Sequence, residues 1–266
     1  MEDKITVYKS IPYYFSNKDL KEMCEIVNQI EGEQYTLVQD ALVYKWKKGQ
    51  TIYPHSINEL ESVAISMAEM HILLEKIESI YCPIQYYTHF PNINGKTIDL
   101  MVMYFKNKFH SCDWINCSLQ IAKHKLENVD LPRQIIHGDA HPYNVLMDNG
   151  KISWIDFTDV HYDIRTIDIV WFIVFSLCWD EEYKYMKTFD VRCVKRFIDA
   201  YNSINKLYEV ELENLPFIFA ILLVYSMFSV HSLWRIKKKE QYINYNISKL
   251  QENIIYLVED LKWSFH

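Results

Sequence analysis

The sequence predicts an α+β chain in which a small mixed lobe of strands and one helix precedes a larger, mostly helical lobe. Three observations predict it. Short β-favouring runs and a hairpin signal crowd the stretch before Gly49. After Gly49 the apolar residues fall at helical spacing. Between Gln134 and Ile155 short apolar runs separated by turn residues interrupt that helical pattern. The chain has 266 residues, half of them hydrophobic, which suffices for one large domain or two lobes with a real core.

The elements follow in order. Ile5 to Tyr8 is a β-favouring run that ends at Lys9. Ser16 or Asn17 suits a helix N-cap, and Leu20, Met23, Cys24, Val27 and Ile30 form one stripe behind it. Tyr35 to Val38 and Ala41 to Trp46 read as two strands of a hairpin joined by Gln39-Asp40, and Gly49 closes this unit. Glu59 to Ile77 is a helix with Leu60, Val63, Ala64, Met67, Met70, His71 and Leu74 on its apolar side. Ile98 to Phe105 fits a strand or a helix start equally, and Ser118 to Leu126 is a weak helix. Ile135-Ile136, Val145 to Met147 and Ile152 to Ile155 read as strands, the last two joined by a tight Asn149-Gly150 turn. Helices are expected over Ile167 to Trp179, Val191 to Ile204, Leu215 to Ile236 and Tyr242 to Lys262. Two lobes follow from this pattern, residues 1–49 and 50–266.

Composition narrows the class. The formal net charge is -7, which disfavours a nucleic-acid partner and tolerates a cationic small molecule. The six cysteines form no C-x-x-C pair, and Met1-Glu2-Asp3-Lys4 opens without an apolar leader. The expectation is a cytoplasmic protein with reduced thiols. Leu215 to Trp234 lacks any Asp, Glu, Lys or Arg and is long enough to span a bilayer. Tyr225, Ser226, Ser229, His231 and Ser232 dilute it, and Pro216 suits the first turn of a soluble helix, so it reads as a buried core helix and not as a membrane anchor.

The chemistry concentrates in Ile135-Ile136-His137-Gly138-Asp139-Ala140-His141-Pro142-Tyr143-Asn144-Val145-Leu146, followed by Ile155-Asp156-Phe157. Phosphoryl transfer passes through a loose transition state, so a protein mainly positions groups and neutralises charge. One carboxylate must hold the attacking hydroxyl, and hard oxygen ligands must hold Mg²⁺ on the phosphates. Asp139 and Asn144 on one loop between apolar strands suit these roles, and the Asn149-Gly150 turn returns Asp156 to the same place.

These residues carry a resemblance. His137-Gly138-Asp139-x-His141-x-x-Asn144 with Ile155-Asp156-Phe157 resembles the aminoglycoside phosphotransferase and choline kinase superfamily, and is similar to the H-R-D-x-x-x-x-N and D-F-G sets of protein kinases. The resemblance implies a two-lobed protein-kinase-like fold and transfer of the γ-phosphate of ATP to a hydroxyl of a small molecule. It implies Asp139 as the catalytic carboxylate, His137 as the residue that holds its loop, and Asn144 and Asp156 as Mg²⁺ ligands. Met67 to His71 resembles the helix that opens the family's larger lobe. Tyr44-Lys45-Trp46-Lys47-Lys48-Gly49 resembles the hinge, with Tyr44 and Trp46 beside the adenine. Arg165-x-x-Asp168 resembles a helix-start aspartate that buttresses the catalytic loop.

The N-terminus departs from the family. There a strand pair and loop cover the ATP phosphates ahead of a lysine strand. Here Lys4 to Lys9 resembles that third strand, which implies Lys9 as the phosphate-contacting lysine and Glu25, or Glu22, as its ion-pair partner. The expectation is then an abbreviated nucleotide lobe, with a shortened lobe, a truncated start or a different alignment of these weak signals as the alternatives. Two other functions remain open. One is a non-catalytic or degenerate nucleotide-binding member of the same fold. The other is a metal-dependent hydrolase using His137, Asp139 and His141 with His161 or Asp163. Asp159, His161 and Asp163 otherwise read as solvated loop residues, and His141 as a loop histidine bonded to a backbone carbonyl. The acceptor itself has no visible code.

Overall fold

A computed structural model describes residues 6–10, 17–31, 36–38, 41–45, 47–78, 96–108, 113–233 and 240–259. The N-terminal part is a three-stranded antiparallel sheet with one helix. Strand β1 (Thr6–Ser10) pairs with β3 (Ala41–Lys45), which pairs with β2 (Thr36–Val38). Helix α1 (Asn17–Glu31) lies between β1 and β2 in the chain and buries Leu20, Met23, Cys24 and Val27. These four belong to the expected stripe, Ile26 is buried beside them, and the Ile30 side chain lies outside the described residues.

A linker leads through β4 (Gln50–Thr51) into α2 (Ile57–Glu75). Ser56 and Glu59 start α2 with a reciprocal capping box, Glu59 N–H donating to Ser56 Oγ and Ser56 N–H to Glu59 Oε2. The segment that fitted strand and helix equally is helical, α3 (Lys96–Lys108), and is followed by α4 (Asp113–Leu126). Next come β5 (Arg133–Ile136), β6 (Val145–Asp148), β7 (Lys151–Trp154) and β8 (His161–Ile164). Strands β6 and β7 form the expected hairpin, and β4 joins them on the other edge of β6. Its turn residues Asn149 and Gly150 have φ of 49° and 80°, the positive pair that a type I′ turn needs.

Strand β8 was not expected. It pairs antiparallel with β5, from Arg133 opposite Ile164 to Ile136 opposite His161. His161 is therefore buried instead of lying in a solvated loop. The alternation His-Tyr-Asp-Ile is too polar to announce a strand; its partner strand supplies the reason to form one.

Helices α5 (Thr166–Leu177), α6 (Val191–Asn202), α7 (Glu209–Phe228) and α8 (Glu240–Glu259) complete the chain. Helix α7 starts earlier than expected, and Pro216 lies in its interior, not in its first turn. The cause is Glu211, whose carboxylate accepts Tyr208 N–H at 2.8 Å and the buried Arg165 guanidinium at 2.8 and 2.7 Å. This fixes the helix start ahead of Pro216, although a proline lacks the N–H that would bond the preceding turn. Glu209 to His231 is long and apolar enough to cross a membrane, but 89% of its apolar window is buried against other parts of the chain. It is the central helix of the larger lobe. Past α7 one π-helical turn, Ser229–Leu233, precedes α8.

The buried residues of α5, α6, α7 and α2 make one continuous core that includes Met67, Phe172, Phe197 and Leu222. Helix α8 is stitched to the α5–α6 connection by two buried asparagines. Asn246 accepts Met186 N–H at 2.9 Å and donates to Lys184 O at 3.0 Å, and Asn253 does the same for Phe189 N–H and Lys187 O. An Asn246→Ala variant strands both backbone groups in the interior. It is expected to lose about 3 kcal/mol of stability, measured by urea unfolding. A loss below about 0.5 kcal/mol shows that the connection finds other partners.

Candidate active site

The strand β5 ends at Ile136, and the chain then turns sharply through His137, Gly138 and Asp139. Gly138 has φ of 80°, and a Cβ built on it would stand 2.0 Å from the Asp159 carbonyl oxygen. Only glycine fits this close crossing of two chain segments. The next residues form a single 3-10 turn, Pro142–Asn144, with His141 as its N-cap.

Asp168 on the first turn of α5 holds this loop from below. Its Oδ2 accepts His137 N–H at 2.7 Å and its Oδ1 accepts Gly138 N–H at 3.0 Å. His71 on α2 reaches the same carboxylate through Nε2 at 3.1 Å, and its Nδ1 meets the Tyr201 hydroxyl of α6 at 2.8 Å. A carboxylate only accepts, so Nε2 carries the ring hydrogen and Nδ1 accepts from Tyr201. All of these groups are buried. Burial pushes the Asp168 carboxyl up. The hydrogen bond from His71, aided by the His137 backbone N–H, outweighs it and holds the group below its ordinary value.

His137 is fully buried, and burial pushes its pKa down. Both ring nitrogens are used by the backbone. Nε2–H donates to Ile155 O at 3.0 Å, and Nδ1 accepts Asp139 N–H at 3.3 Å. The ring thus ties the loop to the end of β7. It has no lone pair left for a zinc ion, so the hydrolase arrangement lacks its first ligand. Among the described residues no group of three or more His, Cys, Asp or Glu side chains is placed to hold a metal.

Asp139 and Asn144 are joined within the turn. Asn144 Nδ2 donates to Asp139 O at 2.9 Å and to Asp139 Oδ2 at 3.1 Å. Two further donors meet the Asp139 carboxylate: His141 Nε2 lies 3.3 Å from Oδ2, and Nε1 of Trp171, buried on α5, lies 3.3 Å from Oδ1. Desolvation opposes a charge on His141, but the Asp139 carboxylate raises its pKa overall. The expectation that His141 satisfies a backbone carbonyl is corrected. Its Nδ1 accepts Tyr143 N–H at 3.2 Å instead.

Asp156 returns beside Asn144 because Ile155 N–H bonds Asn144 O at 3.0 Å. It adopts φ 65°, ψ 60°, a left-handed conformation that Asp tolerates better than most residues. Lys9, from β1, lies on its carboxylate at 2.5 and 2.6 Å and on Thr158 Oγ1 at 3.1 Å. Thr158 also donates to Asp156 Oδ1 at 2.6 Å. Burial raises the Asp156 pKa, but Lys9 and Thr158 outweigh it and hold the carboxyl below its ordinary value.

The structure therefore brings Lys9, His137, Asp139, Asn144 and Asp156 together. It does not bring Glu25 to Lys9: Glu25 is exposed on α1, and no Lys9–Glu25 or Lys9–Glu22 ion pair occurs among the described residues. Tyr44 lies on β3, its backbone opposite Val7. Trp46 lies outside the described residues. Sequence reasoning missed Trp171 and Thr158. The first had a usable signal, since Asp168 and Trp171 are one helical turn apart on α5 and share a face.

A two-lobed protein-kinase-like fold with this loop defines a class of phosphotransferases, and the comparisons agree. Residues 18–211 match the phosphotransferase enzyme family, and the chain belongs to that family. No curated protein sequence matches the chain. Among solved structures the fold is similar to a choline/ethanolamine kinase family protein from Mesorhizobium loti. That likeness has 12% identity and a TM-score of 0.68, and covers 96% of this chain and 82% of that one. Amicoumacin kinase hAmiN, in complex with AMP-PNP, Ca²⁺ and Ami, is similar at 13% identity and a TM-score of 0.64, with 95% and 80% covered. A microcompartment-associated aminopropanol kinase is similar at 14% identity and a TM-score of 0.62, with 97% and 86% covered.

Two outcomes follow from Asp168 and Gly138. The folded-state pKa of Asp168 is lowered, so its stabilisation is present above the ordinary aspartate value near ~3.9 and is lost as pH falls through the folded value. An Asp168→Asn variant is expected to lose about 3 kcal/mol at neutral pH and to show a shallower acid-unfolding curve below about pH 4. Equal acid dependence in both proteins shows that other carboxylates control it. Gly138→Ala must push apart the Asp159 segment, and its melting temperature is expected to drop by several degrees or more.

Proposed function

We propose that the chain transfers the γ-phosphoryl group of ATP to a hydroxyl of a small molecule. The observation that carries this reading is the joining of Asp139 and Asn144 in one turn with Asp156 folded back beside them. Asp139 receives the acceptor hydroxyl and takes its proton as oxygen bonds to the γ-phosphorus. The bond from that phosphorus to the bridging oxygen breaks, and ADP leaves. His137, held neutral by burial, keeps the loop in shape through its two backbone bonds and touches no reacting atom.

The donor set fits Mg²⁺. Asn144 spends its Nδ2 on Asp139, which leaves the amide oxygen for a hard cation, and it takes no hydrogen bond from the described residues. Asp156 already holds a cationic group across both oxygens, the Lys9 ammonium. Asn144 and Asp156 would hold the metal, which when bound neutralises the phosphates and fixes their orientation. Lys9 then exchanges Asp156 for the nucleotide phosphates. Support for nucleotide use also comes from the similar structures, described with AMP-PNP and with GDP. Support for small acceptors comes from similar structures described as amicoumacin, choline/ethanolamine and aminopropanol kinases.

The test is ATP consumption against a panel of amino alcohols, aminoglycosides and sugars. Turnover is expected with at least one class. Asp139→Asn is expected to lower kcat by roughly three orders of magnitude, with Mg-ATP binding retained. Asp156→Asn is expected instead to shrink the rise in melting temperature that millimolar Mg-ATP produces. No thermal shift and no turnover in the wild type would favour the non-catalytic reading. Wild-type turnover in both variants would sink the site assignment.

A further inference from the structure

We infer that His141 is a positioning residue for Asp139: it orients the carboxylate that receives the acceptor hydroxyl, besides closing the turn. The inference rests on the phosphotransfer reading above and adds a residue that the reading does not use.

The case begins with the backbone. His141 is extended, with φ -135° and ψ 165°, at the head of the 3-10 turn, and its side chain folds back over that turn. Nδ1 accepts Tyr143 N–H at 3.2 Å. A ring nitrogen that accepts carries no hydrogen, so the hydrogen of the neutral ring sits on Nε2. Nε2 is the atom 3.3 Å from Asp139 Oδ2. The cap thus selects the tautomer that donates to the carboxylate, much as an outer hydrogen bond fixes a ligating histidine.

A cap alone does not call for an imidazole. Asn, Asp or Ser accept a backbone N–H at such a position as well. What they lack is the reach to Asp139. The ring has little freedom to leave, being 9% exposed and packed at 6.1 Å from both the Phe175 and Tyr143 rings.

The other donors to Asp139 show why this reach matters. Asn144 Nδ2 shares Oδ2 with His141, and Trp171 Nε1 meets Oδ1. On the proposed reading Asn144 also faces the metal, so its amide adjusts to whatever the cation demands. His141 and Trp171 have no part in the metal and hold the carboxylate plane independently of it. In a loose phosphoryl-transfer transition state most catalysis is positioning. A small misplacement of the hydroxyl acceptor group is then costly in rate.

The decisive variant is His141→Asn, which keeps an oxygen for Tyr143 N–H but is too short to reach Asp139. With Mg-ATP and the best acceptor from the panel, kcat is expected to fall about 10- to 100-fold. The KM for ATP and the Mg-ATP thermal shift should stay at wild-type values. Trp171→Phe, which keeps the ring and loses only the N–H, is expected to lower kcat in the same direction. Nitrogen NMR of the wild-type imidazole gives a second reading that needs no folded variant. The Nε2-protonated tautomer is expected, and the opposite tautomer overturns the inference. Wild-type kcat in His141→Asn overturns it too, as does a change confined to the KM for ATP. A wild-type chain that phosphorylates no acceptor overturns the functional reading and this inference together, whereas an active wild type matched by His141→Asn overturns this one alone.

Discussion

The Asp168 carboxylate is the interaction on which the rest of the site depends. It is fully buried, yet it faces two backbone N–H groups and one imidazole N–H. Those bonds make the buried charge tolerable, because an unpaired one would cost several kcal/mol. They also decide where His137 and Gly138 stand, and hence where Asp139 begins. The anchor is itself held from three helices: Asp168 on α5, His71 on α2 and Tyr201 on α6. The packing of the larger lobe is thereby transmitted to a loop of a few residues.

The second half of the site is placed by backbone rules. The Asn149-Gly150 turn makes β6 and β7 a tight hairpin, so the residue after β7 must lie beside the residue before β6. Ile155 N–H on Asn144 O is that closure, and His137 Nε2 on Ile155 O locks it to the catalytic loop. Asp156 then leaves the strand in a left-handed conformation, and its carboxylate meets Lys9. Gly138 lets the Asp159 segment cross so closely that the two loops share one wall.

The parts legible in the sequence are those with local causes. The helical stripe of α1 and the β6–β7 turn each follow from spacing or turn chemistry within one element, whereas the role of Asp168 was implied by the family resemblance of Arg165-x-x-Asp168. What escaped depends on partners far along the chain. Strand β8 exists because β5 offers it a ladder, and its own polar alternation gives no warning. The start of α7 moved because Arg165, distant in sequence, recruits Glu211, and an interior Pro216 was accepted as the cost. The asparagines of α8 read as ordinary polar residues until the α5–α6 connection is seen lying across them. The acceptor side is illegible for the same reason, since it is built by surfaces that no local pattern encodes.

The electrostatics of the site separate what is fixed from what must move. Asp168 and His137 are sealed from water and bonded on every side that the reading requires, so they are scaffold. Asp139 is held by N–H donors from Asn144, His141 and Trp171, all on the larger lobe, which set its direction. Asp156 is different: its partner is a true cation, and that cation arrives from the small N-terminal sheet. The Lys9–Asp156 pair therefore joins the small sheet to the larger lobe by an ion pair in which both side chains remain about one-third exposed. A partly exposed pair of this kind is weak compared with a buried one. A dication with its phosphates competes for both members at once, the carboxylate taking the metal and the ammonium taking the phosphate. The pair is thus suited to be exchanged, while the carboxylate that meets the acceptor is suited to stay.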